Sequence, residues 1–249
     1  MNHVIWGIVG STAAGLATGV GAIPVLFPSL HDLSHRMRDE LLGFAAGVML
    51  AATAFSLLVP AIESGGPGLA IGGILAGALL LDLLDRMIPH EHFEKGKEGP
   101  ASTLRKIWLF VLAITLHNFP EGLAVGVSFG SQRIADGITV ALAIGLQNVP
   151  EGLAVAVSLL GAGYSRKQAF LYALLTGLVE PLGGVLGIGL VSFMQAFLPF
   201  GLALAGGAML FVIGDEIIPE THHGPSARYS TYALMVGFAI MMGLDTLFG

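Results

Sequence analysis

Residues 116–125 read Leu-His-Asn-Phe-Pro-Glu-Gly-Leu-Ala-Val, and residues 146–155 read Leu-Gln-Asn-Val-Pro-Glu-Gly-Leu-Ala-Val. Each copy lies in a long apolar segment and carries a carboxylate directly after a proline. Proline removes one helical hydrogen bond, so Pro120 and Pro150 each free the carbonyl group four residues earlier. The short offset between the copies predicts two antiparallel helices that present matching faces to each other.

The rest of the chain is also strongly apolar. Of its 249 residues, 54% are hydrophobic and 11% are charged, whereas soluble domains contain about 25% charged residues. A net charge of -6 argues against a nucleic-acid partner, and the absence of cysteine excludes disulfides and thiolate metal ligands. The apolar runs reach the ~20 residues that a bilayer-spanning helix needs. We therefore predict an all-α polytopic membrane protein whose surroundings are the lipid bilayer.

Hydropathy and turn residues predict eight transmembrane helices, here called spans 1 to 8, in one transmembrane domain over residues 1–249. Thr18 and Gly19 in span 1 are echoed by Thr176 and Gly177 in span 6, and residues 47–50 in span 2 by residues 207–210 in span 7. These echoes favour three helices, a central pair and three helices of inverted topology. The spans cover residues 4–26, 41–62, 68–85, 107–128, 137–161, 168–193, 198–218 and 229–248.

The basic residues indicate how the chain is oriented. Ten of the eleven Lys and Arg residues fall in the connections that follow odd-numbered spans, and only Arg133 falls on the opposite side. Because basic residues concentrate in cytoplasmic connections, this asymmetry predicts that both termini are extracytoplasmic. We expect an integral, multi-pass protein, which in a bacterium lies in the inner membrane.

Three ionisable residues fall near the middle of their spans. His117 lies ten residues into span 4, about 15 Å deep at 1.5 Å per residue, and Glu151 and Glu180 lie at similar depths. A charged residue there costs ~2.5 kcal/mol or more, and no span contains Lys or Arg. The pattern indicates that a cation is the ligand. The alternative is that the glutamates are protonated and bond to neighbouring helices, with His117 as a buried core residue.

The spacing of the polar residues is that of a metal site. His117 and Glu121 are four residues apart and share one helix face, while Asn118 with Glu121 and Asn148 with Glu151 are pairs three residues apart. An imidazole with several carboxylates and no thiolate suits Zn²⁺ and also Mn²⁺, Fe²⁺ or Co²⁺. The sequence does not rank these ions or Cd²⁺ as substrates, and no organic cofactor is expected.

Other acidic residues and histidines cluster near the two predicted membrane faces. Glu63, Asp136 and Asp245 lie near the outer face, where they either attract cations or belong to the interface. Near the cytosolic face, the functional interpretation is a metal exit path, and the alternative is a solvated surface. The candidates for this exit path are Asp82, Asp85, His90, His92, Asp215, Glu216, Glu220, His222 and His223.

With these motifs the sequence resembles the ZIP family (Zrt-, Irt-like proteins) of divalent-metal transporters, most closely its bacterial GufA-like branch. The resemblance covers essentially the whole chain and rests on residues 117–122, residues 148–152 and Glu180-Pro181. It implies transport of metal into the cytosol by an elevator-like motion of one helix bundle against another. It also implies a two-metal site between spans 4, 5 and 6. In that site His117, Glu121 and Glu151 hold one metal, and Asn118, Asn148, Glu151 and Glu180 hold the other.

The chain departs from the family pattern at two positions. Many members have His where this chain has Gln147, and some have Asp where it has Asn148, so the second metal site is less charged here. Two other functions stay open at this point: a membrane-embedded metal-dependent hydrolase, and a metal sensor or scaffold. A homodimer also stays open, because Gly72-Gly73 and Gly183-Gly184 can pack either within or between monomers.

Overall fold

A computed structural model describes residues 2–27, 35–92, 96–98, 106–131, 133–222 and 226–248. The helices are α1 (Asn2–Ala22), α2 (His35–Ala51), α3 (Val59–Met87), α4 (Lys106–Phe129), α5 (Ile134–Gly161), α6 (Arg166–Gly177), α7 (Glu180–Phe193), α8 (Leu198–Val212), α9 (Ile218–Thr221) and α10 (Ala227–Phe248). Short 3₁₀ turns at Ile23–Leu26 and Gln195–Phe197 extend α1 and precede α8. π-Helical segments join α2 to α3 (Ala52–Leu58) and α8 to α9 (Ile213–Ile217).

Long apolar helices dominate the described part of the chain, and this confirms the predicted all-α class of membrane protein. Within that part, six helical segments are long and apolar enough to cross a bilayer. One of them contains 52 residues, which at 1.5 Å per residue is far longer than a ~30 Å hydrocarbon core. The six segments are His3–Leu26, Arg36–Met87, Ile134–Gly161, Arg166–Phe193, Gln195–Thr221 and Ala227–Leu247.

The 52-residue segment differs from the predicted loop between spans 2 and 3. Two helices meet at Gly66, whose φ of 79° and ψ of 163° are not helical. Glycine adopts a positive φ at little cost because it has no Cβ atom. Pro67 follows directly, so the chain has a kink at Gly66 where a loop was predicted.

Predicted span 6 is broken in the structure. α6 ends at Gly177 and α7 begins at Glu180, with Leu178 and Val179 in a turn between them. In a continuous helix the Gly177 carbonyl would accept the N–H of residue 181, but that residue is Pro181 and has none. The single predicted helix is therefore two half-helices, and Glu180 lies at the N-terminus of the second.

Two further features differ from the predicted helices and loops. Strand β1 (His90–His92) pairs antiparallel with β2 (Gly96–Glu98), and the register places Glu91 opposite Lys97. A predicted connection therefore contains a small hairpin. The π-helical segments also interrupt predicted spans 2 and 7, each starting within about one turn after the echoed Met49 or Met209.

The helices pack in two groups. α1, α4, α5, α6 and α7 contact one another, while α2 packs on α10 and α3 packs on α8. Between α4 and α7 on one side and α3 and α8 on the other lies a cavity of about 460 Å³ lined by side chains such as Leu84, Phe119 and Leu204. The part of the interface that lines this cavity is therefore apolar.

Glycines allow the closest helix contacts. In the two repeated motifs, Gly122 of α4 lies against the backbone of Glu180 in α7, and Gly152 of α5 lies against the backbone of Thr18 in α1. Gly183 and Gly73 also pack against neighbouring helices of the same chain. These two positions are therefore occupied within the monomer and give no support for a homodimer.

We predict that Gly152→Ala destabilises the protein, because the added methyl group would overlap the Thr18 carbonyl. Overpacking of this kind costs about 1–3 kcal/mol. Gly72→Ala is the matched control, since a Cβ atom there meets no described atom within 4 Å. The melting temperature in detergent should fall for Gly152→Ala and stay constant or rise for Gly72→Ala. Equal melting temperatures for the two variants would contradict the packing described for α1 and α5.

Candidate metal site

The six predicted ligands are all buried inside the first helix group. His117, Asn118 and Glu121 lie on α4, Asn148 and Glu151 on α5, and Glu180 on α7; none of them is more than 5% exposed. The carboxylates of Glu121, Glu151 and Glu180 are near enough to repel one another, and Glu151 also interacts electrostatically with His117. The structure therefore brings the carboxylates and the imidazole of the predicted set together.

Asn148 connects three helices at this site. Its side-chain Nδ2 donates to Oε1 of Glu180 at 2.6 Å and to the carbonyl oxygen of Ala14 in α1 at 2.9 Å. Glu180 lies in the first turn of α7, where the helix dipole favours a negative charge. The break between α6 and α7 thus positions a carboxylate, and the Asn148 amide holds that carboxylate against α1.

His117 contacts an acidic residue that was predicted from the sequence to lie on the exit path. Its Nε2 contacts Oε2 of Glu216, a residue that is 1% exposed and was expected on the exit path near the cytosolic face. Glu216 belongs to the π-helical segment Ile213–Ile217. A π-turn adds a residue to the helical repeat and so rotates the side chains that follow it. The sequence pattern alone therefore does not reveal this contact.

Gln147 is part of the site although it was not among the predicted ligands. Its Nε2 donates to Oε1 of Glu121, and the residue is fully buried. The repeated motif contained the signal for it, because Gln147 occupies in the second copy the position that His117 occupies in the first. Each copy therefore contributes one polar side chain before its asparagine.

Several buried side-chain atoms at the site have no hydrogen-bond partner within the described ranges. They are both amide atoms of Asn118, Oε2 of Glu121, Oε1 of Gln147, Oδ1 of Asn148, Oε1 of Glu151 and Oε2 of Glu180. Leaving a buried polar group unsatisfied costs about 1–3 kcal/mol, and buried polar groups in proteins are normally partnered. Oxygen acceptors together with one imidazole are a donor set that suits zinc and similar divalent cations.

The donors are not arranged around one point in this conformation. Among the described residues, no group of three or more His, Asp or Glu side chains has the spacing of a metal site. His117 and Glu121 are instead engaged by Glu216 and Gln147. Binding a metal at Nε2 of His117 therefore requires that atom to exchange Glu216 for the ion, whereas Oε2 of Glu121 is available without such an exchange.

The other candidates near the cytosolic face are dispersed. Asp82 forms an exposed salt bridge with Arg86 at 3.0 Å, and Nδ1 of His222 lies 2.9 Å from the Thr221 hydroxyl. Asp85 and Glu220 are buried, whereas Asp215 is half-buried. His90 and His92 form the ends of β1, but their side chains, like all of His223, lie outside the described residues.

The acidic residues near the predicted outer face line a small cavity of about 210 Å³. Glu63, Asp136 and Asp245 belong to its wall together with Arg133. Asp245 accepts a hydrogen bond from Ser56 at 2.5 Å, and Asp136 lies 3.5 Å from Arg133. Two of the three carboxylates are thus engaged with side chains of the protein.

Comparison with known proteins bears on what this site does. Residues 89–245 match the family described as ZIP zinc transporter. The chain is 47% identical to the zinc transporter GufA of Myxococcus xanthus, over 98% of this chain and 99% of the relative. It is 45% identical to the zinc transporter ZIPB of Bordetella bronchiseptica (99% and 82%) and 37% identical to the zinc transporter ZIP11 of Homo sapiens (95% and 93%). The resemblance of the motifs is therefore confirmed, and the chain belongs to the ZIP family of integral membrane proteins.

Proposed function

We propose that the protein transports divalent transition-metal cations, zinc foremost, across the membrane into the cytoplasm, with α4, α5 and α7 holding the metal. The observation that carries this proposal is the set of buried carboxylate and amide oxygens beside His117. The helices that carry these oxygens have no Lys or Arg in their interiors. Relatives named zinc transporters support zinc as the substrate. Fe²⁺, Mn²⁺, Co²⁺ and Cd²⁺ suit the same donors, whereas the hydrolase alternative has no support from the relatives. In a bacterium the protein would lie in the inner membrane.

The site is binuclear in this proposal. His117, Glu121 and Glu151 bind one metal ion, and Asn118, Asn148, Glu151 and Glu180 bind the second. Glu151 is the bridging ligand in this arrangement, and its buried Oε1 has no hydrogen-bond partner among the described residues. Each ion then has two carboxylate ligands, and Asn118 and Asn148 add neutral amide oxygens to the second.

A metal ion released toward the cytosol would pass along the acidic residues beyond His117. Glu216 already contacts His117, so it is the first acceptor that a departing ion meets. Glu220, one turn further along the same helical segment, and Asp85 on α3 are also buried and would continue the path. Asp82, Asp215, His90, His92, His222 and His223 are candidates for its outlet at the membrane surface.

We further propose eight crossings in the arrangement three, two and three. The Gly66 kink would divide Arg36–Met87 into two crossings, and α4, with 24 residues, is long enough for one more. Matched contacts support an inverted repeat: Gly152 lies against Thr18 as Gly122 lies against Glu180. Gly21 likewise lies against Val149 as Gly183 lies against Phe119. These contacts align Thr18 of α1 with Glu180 of α7. The echo in the sequence instead pairs Thr18 with Thr176, one helical turn earlier.

Transport would proceed by sliding of the first helix group along the second. The apolar lining of the 460 Å³ cavity between them supports this mechanism, because the contacts there include few polar groups that must be broken. The metal ligands all lie in the first group, so the ions would travel with it. Glu216 lies in the π-helical segment that continues α8 of the second group, and its contact with His117 would break and form during the motion.

The proposed metal site predicts that Glu151→Gln lowers zinc uptake into proteoliposomes by at least about tenfold. The substitution keeps the shape of the side chain but removes the bridging charge, and loss of a metal-site residue commonly costs 10–100-fold. Glu40→Gln is the matched control, because Glu40 lies outside the site in a partly exposed salt bridge with Arg36. Undiminished uptake by Glu151→Gln would refute the assigned site.

The proposed topology is testable by cysteine labelling without background, since the chain contains no cysteine. We predict that Ser64→Cys, at the Gly66 kink, reacts with a membrane-impermeant maleimide from outside intact cells. Ala162→Cys, in the turn between α5 and α6, should react only after permeabilisation. Both positions are exposed, so accessibility alone does not separate them. Failure of Ser64→Cys to react from outside, with labelling on denaturation, would contradict two crossings by Arg36–Met87.

A further inference from the structure

Thr18 carries a buried hydroxyl that the proposed metal site does not yet explain. The residue is fully buried in α1, and its Oγ1 has no hydrogen-bond partner among the residues described. Other hydroxyls on these helices donate to the carbonyl four residues earlier, as Thr12 does to Ile8 and Thr115 to Val111, both at 2.7 Å. For Thr18 that carbonyl belongs to Ala14.

The Ala14 carbonyl is already saturated. A carbonyl oxygen has two lone pairs, and in α1 one of them accepts the helical N–H of Thr18. The other accepts Nδ2 of Asn148 at 2.9 Å. The Asn148 amide therefore occupies the position that the Thr18 hydroxyl would take in an undisturbed helix, and the hydroxyl is displaced.

Thr18 also lies beside the part of the site that Asn148 and Glu180 form. Its backbone contacts Gly152, the neighbour of Glu151, and its Oγ1 lies next to Gly177 at the end of α6. In the repeat described above, Thr18 corresponds to Glu180. A small polar residue thus occupies in α1 the place that a carboxylate occupies in α7.

The geometry points to Thr18 as a positioning residue that releases Asn148 for metal binding. In this structure the amide nitrogen of Asn148, and not its oxygen, faces Glu180. For Asn148 and Glu180 to share one cation, as the proposed function requires, Oδ1 must turn toward the Glu180 carboxylate. Nδ2 then leaves the Ala14 carbonyl, and the Thr18 hydroxyl rotates to donate to that carbonyl in its place.

This exchange affects the metal-free and metal-bound states in opposite directions. Without metal, the Thr18 hydroxyl is a buried donor with no acceptor, which destabilises the protein. With metal, the hydroxyl satisfies a carbonyl that would otherwise lose a partner. Removing the hydroxyl should therefore weaken metal binding without lowering the stability of the metal-free protein, an outcome that a purely structural role does not produce.

The test compares Thr18→Ala with Thr18→Ser in the full-length protein, because these two variants differ only by the hydroxyl. Zinc affinity is measured by equilibrium dialysis, and uptake gives KM and the maximal rate. We expect Thr18→Ala to raise Kd and KM roughly tenfold relative to Thr18→Ser, the value of about one hydrogen bond. The melting temperature without zinc should be equal in the two variants or higher in Thr18→Ala. Equal affinities would overturn the inference, as would a Thr18→Ala protein that is less stable without zinc.

A second substitution shows whether the effect depends on Asn148. In an Asn148→Ala background the carbonyl of Ala14 has no competing donor, so the difference between Ala and Ser at position 18 should vanish. A difference that persists there would also overturn the inference. The Glu151→Gln variant separates this inference from the function itself. If its uptake is lost while Ala and Ser at position 18 behave alike, the exchange is wrong and the metal site stands.

Discussion

The structure depends on keeping carboxylates inside an apolar membrane. A charged side chain at mid-bilayer costs ~2.5 kcal/mol or more, and here Glu121, Glu151 and Glu180 lie close together with no Lys or Arg in their helix interiors. Hydrogen bonds donated by Gln147 and Asn148 offset part of the free-energy cost of burying these carboxylates. The remaining oxygens have no donor in the described part of the protein. In the proposed function, a divalent cation is the partner that would satisfy several of them at once.

The repeated Pro-Glu-Gly unit explains how the backbone delivers these carboxylates. In each copy the proline lies inside a continuous helix and lacks an N–H donor, the glutamate is buried at the site, and the glycine lets another helix approach. Gly122 allows the close approach of α7, which carries Glu180, and Gly152 allows the close approach of α1, which carries Thr18. The same local chemistry is used twice, but the residues it brings in differ: one is a carboxylate and the other a hydroxyl. The resulting asymmetry gives the two halves of the site different charges.

The membrane class and the burial of the candidate carboxylates could be predicted from the sequence, because hydropathy and the motif are local signals. Four features could not. The π-helical segment that aims Glu216 at His117, the break before Glu180 and the hairpin at His90–His92 each change a regular periodicity. The competition between Thr18 and Asn148 for one carbonyl arises only when α1 packs against α5. Such contacts depend on tertiary packing, which a single sequence does not display.

The most direct test of the central claim is the position of zinc itself. Crystals of the protein grown with zinc would be measured at the zinc absorption edge, and an anomalous difference map would locate the ion. We predict peaks between α4, α5 and α7, within about 2.0–2.2 Å of the His117 nitrogen and the glutamate oxygens. Zinc bound only at surface histidines, with the glutamates still paired to protein groups, would contradict the proposal that these buried carboxylates bind the transported metal.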